Sequence, residues 1–183
     1  VDQPPRSLAE LGTWLPAYAA DASRNLTTVL GAPGENLTAR QHWACVLAAA
    51  AAVRSPTTSP ALAGEARARL PREAADAALA AASTMAGNAV YFRARHFLHG
   101  SYDGLRAGLR SSATLTPSTD RAEVELCCVV VAAIHGCEAC LQEHESGARG
   151  AGVSREAVND ALRIAAVVAS IAATLDSDRL VTD

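Results

Sequence analysis

The chain has 183 residues, enough for one compact domain, or for two small halves sharing a core, and too few for a multidomain assembly. Its net charge of −3, with all sixteen basic residues Arg, provides no basic field for nucleic acid. Half the residues are hydrophobic but only 4% are aromatic, so the core must be built largely from Ala, Leu and Val, a bias towards helix.

Residues 1–6 read as a flexible terminus; the opening Val-Asp-Gln-Pro-Pro-Arg lacks the apolar run of a signal peptide, although the chain starts at Val1 and not at Met. A first helix is predicted from Ser7 to about Asn25, as an arm against the rest. Asn36 or Thr38 is placed to cap a helix through Val53, which Ser55-Pro56 stops, because proline lacks an amide donor. The Ser/Thr/Pro-rich stretches 55–61 and 111–118 read as loops. Pro71 opens a helix to about Gly87. Ser118, Thr119 or Asp120 caps a helix through Ile134, closed by His135-Gly136. A helix then runs from the Cys137 motif towards Ala148, and Ser154 with Glu156 opens the last one, to about Leu175. The tail 177–183 is expected to be flexible. The apolar stretches 44–53, 126–134 and 164–175 fall short of the ~20 residues a membrane span needs.

The sequence repeats. At an offset of 83 residues, Arg72-Glu73-Ala74 falls on Arg155-Glu156-Ala157, Ala78-Leu79 on Ala161-Leu162, and Cys45-Val46 on Cys128-Val129. Two blocks sharing one gapless offset imply a duplicated helical unit, about 41–86 and 124–169, inside a single all-α domain spanning 7–176. The chemistry sits in the second copy alone. The first-copy counterparts of Glu125, Cys137, Cys140 and His144 are His42, Arg54, Thr57 and Ala61.

Cys137-Glu138-Ala139-Cys140 follows Gly136 at a helix start, where free amides and the helix dipole favour thiolate. Cysteines at i and i+3 share one helical face, near enough for a sulfur–sulfur bond. His144, four residues beyond Cys140, is placed as base or imidazolium partner for that thiol, and Glu125, one helix earlier, as the group that orients it. The same four side chains could instead hold a structural zinc. His135 could line the site as relay support. Cys45, Cys127 and Cys128 lie in Ala/Val runs and read as buried small hydrophobes, and His42, His96 and His99 as structural or surface groups. Asn88, Tyr91, Arg93 and His96 form a polar cluster, read as a helix end that satisfies loop carbonyls, with a site-mouth or subunit-interface role as the other reading. Five cysteines, an odd number, favour a reducing, cytoplasmic setting. No glycine-rich dinucleotide fingerprint is present, so any NADH would bind a partner.

The spacing of Glu125, eleven residues, Cys137-x-x-Cys140, three residues and His144 resembles the catalytic pattern of AhpD-type alkylhydroperoxidases, in the carboxymuconolactone decarboxylase-like superfamily. Leu15-Pro16-Ala17-Tyr18-Ala19, Asn88-Ala89-Val90-Tyr91-Phe92-Arg93 and the stretch Ser101 to Arg110 resemble segments of its two-repeat members, in the same order. The resemblance implies an all-α homotrimer with no metal or bound organic cofactor. It implies a peroxide substrate attacked by Cys140, resolution by Cys137 through a redox-active Cys137–Cys140 disulfide, and a proton relay of His144 and Glu125. It further implies re-reduction by a lipoylated dihydrolipoamide acyltransferase, or work alongside a peroxiredoxin partner. One departure is Ala139, where members often carry His. A thiol–disulfide adaptor with little peroxidase activity and a non-redox, decarboxylase-like member remain the other functional readings.

Overall fold

The computed structural model describes residues 5–110 and 120–182; the expected loop 111–118 and the capping candidates Ser118 and Thr119 lie outside them, as do residues 1–4 and 183. Among the described residues every regular element is helical, and the all-α expectation holds. The opening segment is not one helix. α1 (Leu8–Trp14), capped by Ser7, ends where Leu15 turns extended ahead of Pro16 (φ −70°, ψ 123°). A 3-10 turn at Ala17–Ala19, α2 (Ala20–Asn25) and a π turn at Leu26–Leu30 follow. Proline disfavours helix at the residue before it, and Pro16 therefore breaks the single helix expected from Ser7 to about Asn25.

Thr38 caps α3 (Ala39–Val53) in a capping box with Gln41. Asn36, the other candidate, donates instead to the Asp160 carboxylate at 2.9 Å. Arg54, in the left-handed region at φ 53°, ends α3. The loop expected over 55–61 is shorter, because α4 (Thr58–Arg67) starts within it. Ser55 Oγ accepts from the Thr58 amide at 3.0 Å and donates to Asp176 at 2.8 Å, and Pro60 falls in the first turn, where its missing donor costs nothing. α5 (Arg72–Phe97) passes the expected stop at Gly87 by ten residues. Asp120 caps α6 (Arg121–His135), accepting from the Ala122 amide at 2.9 Å. Beyond Gly136, α7 (Glu138–Gly150) and α8 (Arg155–Thr182) complete the chain, and the tail from 177 to 182 continues α8 where a flexible end was expected.

The two halves run in the same order, α3-α4-α5 then α6-α7-α8, and Arg72 and Arg155 each open the long third helix. α3 and α6 cross at the centre, each also packed on α5 and α8. α3 is buried from His42 through Ala50, and its alanines let neighbouring helix backbones approach closely. Leu47, Leu62, Met85, Leu126, Ile164 and Ile171 fill the volume that alanines leave. α8 is long and apolar enough over Arg155–Arg179 to cross a membrane by length and composition, but half of that window is buried inside the fold, as in a core helix.

One ion pair ties α3 to α6. Arg40 Nε donates to Glu123 Oε2 at 2.6 Å, where Glu123 is only 2% exposed and its other oxygen has no partner among the described residues. Burial pushes the Glu123 carboxyl up, and Arg40 offsets part of that rise.

Candidate active site at the start of α7

The end of α6 shapes the site. Gly136, at φ 64°, takes the left-handed turn, and the Cys137 amide bonds back to Ala132 O at 3.1 Å, the paired closure of a Schellman motif. The reversal delivers Cys137 as N-cap of α7, its Sγ accepting from the Cys140 amide at 3.4 Å. Cys137 and Cys140 are joined as a disulfide, with Cα atoms 5.3 Å apart. The two sulfurs differ in access. Cys137 is 1% exposed, while Cys140, at 6%, lines a cleft of about 460 Å³ together with Asn88, Phe92, Ala139, Glu143 and His144.

His144 Nδ1 lies 2.8 Å from Glu125 Oε2. A neutral imidazole then carries its proton on Nδ1, donated to the carboxylate, and keeps Nε2 as the free base. Arg121 Nε approaches the other Glu125 oxygen at 3.6 Å. The structure thus joins Cys137 to Cys140 and His144 to Glu125, and sets Cys140 and His144 on one cleft. Sequence reasoning missed Gly147. A Cβ there would sit 2.6 Å from Glu125 Cδ, so the carboxylate occupies space that only glycine leaves open. The signal was a small residue three positions after His144, on the same helical face.

His135 is not brought to the cleft. It borders a separate cavity of about 240 Å³ between α3 and α5, with Arg54 and Ser83. Its Nε2 is buried without a partner among the described residues, and burial, then Arg54 and Arg93, push its imidazole down. The relay-support role has no geometric basis. The Asn88 cluster is likewise not a helix end, since α5 runs through it. Asn88 lines the cleft, the Arg93 guanidinium donates to His135 O, and His96 Nε2 stands 3.5 Å from Glu138 Oε2. α5 therefore forms the wall facing the motif.

The remaining cysteines are buried and unbridged, as expected of small hydrophobes. A hydrogen bond with Cys45 and burial push the Cys127 thiol up; burial and the nearby Glu125 charge push Cys128 up to about 12. Thiols held so far from ionisation are poor nucleophiles. His42, at 1% exposure, faces Leu30 O at 3.4 Å inside the core.

In this all-helical fold the cysteine pair and the His144–Glu125 pair are grouped where α6 turns into α7, with Cys140 and His144 open to one cleft. The carboxymuconolactone decarboxylase family model matches residues 102–183. The protein named alkyl hydroperoxide reductase AhpD in Nocardia farcinica is 44% identical over 171 residues, 93% of this chain and 94% of that one. Its namesakes in Frankia alni (45%, covering 93% and 92%) and Streptomyces coelicolor (44%, covering 94% and 96%) are similarly close. The chain belongs to the AhpD family.

Proposed function

We propose that this protein is an alkylhydroperoxidase that cycles its Cys137–Cys140 pair between dithiol and disulfide. The observation that carries the reading is the shared cleft of Cys140 and His144, with His144 Nδ1 held 2.8 Å from Glu125. In the reduced enzyme His144 Nε2 takes the Cys140 proton. The thiolate attacks the terminal oxygen of ROOH, the O–O bond breaks, and His144 returns its proton to the departing oxygen, giving Cys140 sulfenic acid and ROH. Cys137 then attacks the Cys140 sulfur and expels water, forming the disulfide. A dihydrolipoyl dithiol reduces that disulfide and leaves as the cyclic lipoyl disulfide. Overall, ROOH and the dithiol become ROH, water and the lipoyl disulfide, with no metal or bound cofactor.

The donor we propose is the lipoyl arm of a dihydrolipoamide acyltransferase, with a peroxiredoxin as companion in the same cytoplasmic system. The first half of the duplication serves as scaffold for the second. We also place the chain in a homotrimer. Val90, Phe97, Leu98, Tyr102, Leu105 and Leu109, exposed from the end of α5 into the following stretch, support an assembly surface.

Intact mass after peroxide treatment of the reduced protein tests the cycle. Wild type loses two hydrogens, Cys137→Ser yields a sulfenic acid trapped by dimedone, and Cys140→Ser yields none. Wild-type cysteines that survive peroxide yet exchange with dihydrolipoamide would instead make this a thiol–disulfide adaptor.

A further inference from the structure

We infer that Asn88 is a further catalytic residue, whose side-chain amide donates a hydrogen bond to the oxygen leaving the peroxide. The inference rests on the peroxidase reading and adds a group to its O–O cleavage step. When the Cys140 thiolate forms its S–O bond, the breaking O–O bond leaves an electron pair on RO⁻, which must be stabilised until the His144 proton arrives. A donor aimed at that charge stabilises it most where water is scarce.

The cleft wall offers few candidates. Phe92 and Ala139 have no polar side-chain atom, and the Glu143 carboxylate only accepts. His144 is committed to Glu125 through Nδ1 and carries the transferred proton on Nε2. Cys140 is the nucleophile. Among the six described lining side chains, Asn88 alone has N–H donors that are not already committed, and its carboxamide makes no hydrogen bond to any described residue. It is half-buried on α5, one turn before Phe92, across the cleft from α7. The Arg93 guanidinium bonded to His135 O fixes α5 against the turn that leads into Cys137, so the wall that carries Asn88 is braced against the element that carries Cys140, and both residues line the one cleft.

The test measures Cys140 sulfenic acid formation in the Cys137→Ser protein, with and without Asn88→Ala. Three electrophiles separate the effects: tert-butyl hydroperoxide, which expels a strongly basic alkoxide; peracetic acid, which expels a weakly basic carboxylate; and iodoacetamide, which expels no oxygen. Loss of the donor should slow tert-butyl hydroperoxide about 10- to 100-fold and peracetic acid much less, and leave alkylation unchanged. Asn88→Asp, which keeps the shape without the N–H donors, should fail to restore the rate. Equal slowing of all three reagents, or of none, overturns the assignment. Cys137→Ser protein with Asn88 intact that reacts with iodoacetamide but with neither peroxide overturns the peroxidase reading itself.

Discussion

Replacing Arg40 with Met would strand Glu123, and the cost follows from the geometry. The guanidinium Nε at 2.6 Å is the carboxylate's hydrogen-bond partner, its other oxygen already lacks one, and only 2% of the Glu123 side chain reaches solvent. Breaking a fully buried pair costs about 3–5 kcal/mol. The Arg40 side chain is 38% exposed, so its removal admits some water, and a loss of about 2–3 kcal/mol is expected at neutral pH. The sign of the pH dependence is fixed. Burial raises the folded-state pKa of Glu123 above the ordinary 4.5, so the folded protein binds a proton that the unfolded chain releases, and stability is lost as pH rises through the folded value. The Arg40→Met deficit should therefore be smaller at pH 5 than at pH 7. Arg40→Met with Glu123→Leu removes both charges and should return to within about 1 kcal/mol of wild type. Urea unfolding of the oxidised protein, followed by circular dichroism at fixed concentration, measures all three. A single variant within 0.5 kcal/mol of wild type, or a double variant no better than the single, would refute the reasoning.

Glu125→Gln should slow Cys140 oxidation by peroxide about 100-fold, because the amide cannot stabilise the imidazolium that His144 becomes; stopped-flow rates check it. Gly147→Ala removes a helix-interior glycine, worth about 0.5–1 kcal/mol of stability, but its Cβ displaces the Glu125 carboxylate. Thermal unfolding and Cys140 alkylation should consequently move in opposite directions, the second slowing several-fold. Burial lowers the His42 pKa below the ordinary 6.5, so the unfolded chain binds the extra proton and stability should rise with pH between that lowered value and about 6.5. His42→Gln should flatten part of that slope in denaturation curves taken across the range, His135 retaining a share of the same sign.

The motif was legible because its determinants are local. Gly136 supplies the left-handed turn, Cys137 the cap, and helical spacing alone puts His144 one turn from Cys140. Glu125 needed the long-range pairing of α6 with α7, yet the intervening turn is so short that the pairing could be guessed. The opposite wall was not legible. Gly87 followed by Asn88 reads as a helix stop, but Gly87 sits on an exposed face of α5 and the helix continues at little penalty among good formers. That misplaced end made a place near the site mouth only the second reading of Asn88, and no local pattern could show that α5 crosses in front of α7. The start of α4 was hidden in another way: Ser, Thr and Pro suit both loops and first turns, and what settled it was Ser55 bridging to Asp176, 121 residues away.

The alanine-built centre of α3 and α5 sets an unusual direction of mutational risk. Ala44, Ala48, Ala49, Ala50, Ala78 and Ala81 are almost wholly enclosed and have almost nothing to truncate, so a conventional alanine scan would pass over them silently. Every substitution except glycine adds atoms at a position closed off from solvent, and overpacking costs about 1–3 kcal/mol each time. In a saturation library these positions would tolerate shrinking and reject growth, the reverse of a leucine-rich interior. Drift in such a protein is confined to its surface and its few bulky wedges, while the scaffold behind the cysteines is held fixed by the smallness of its own parts.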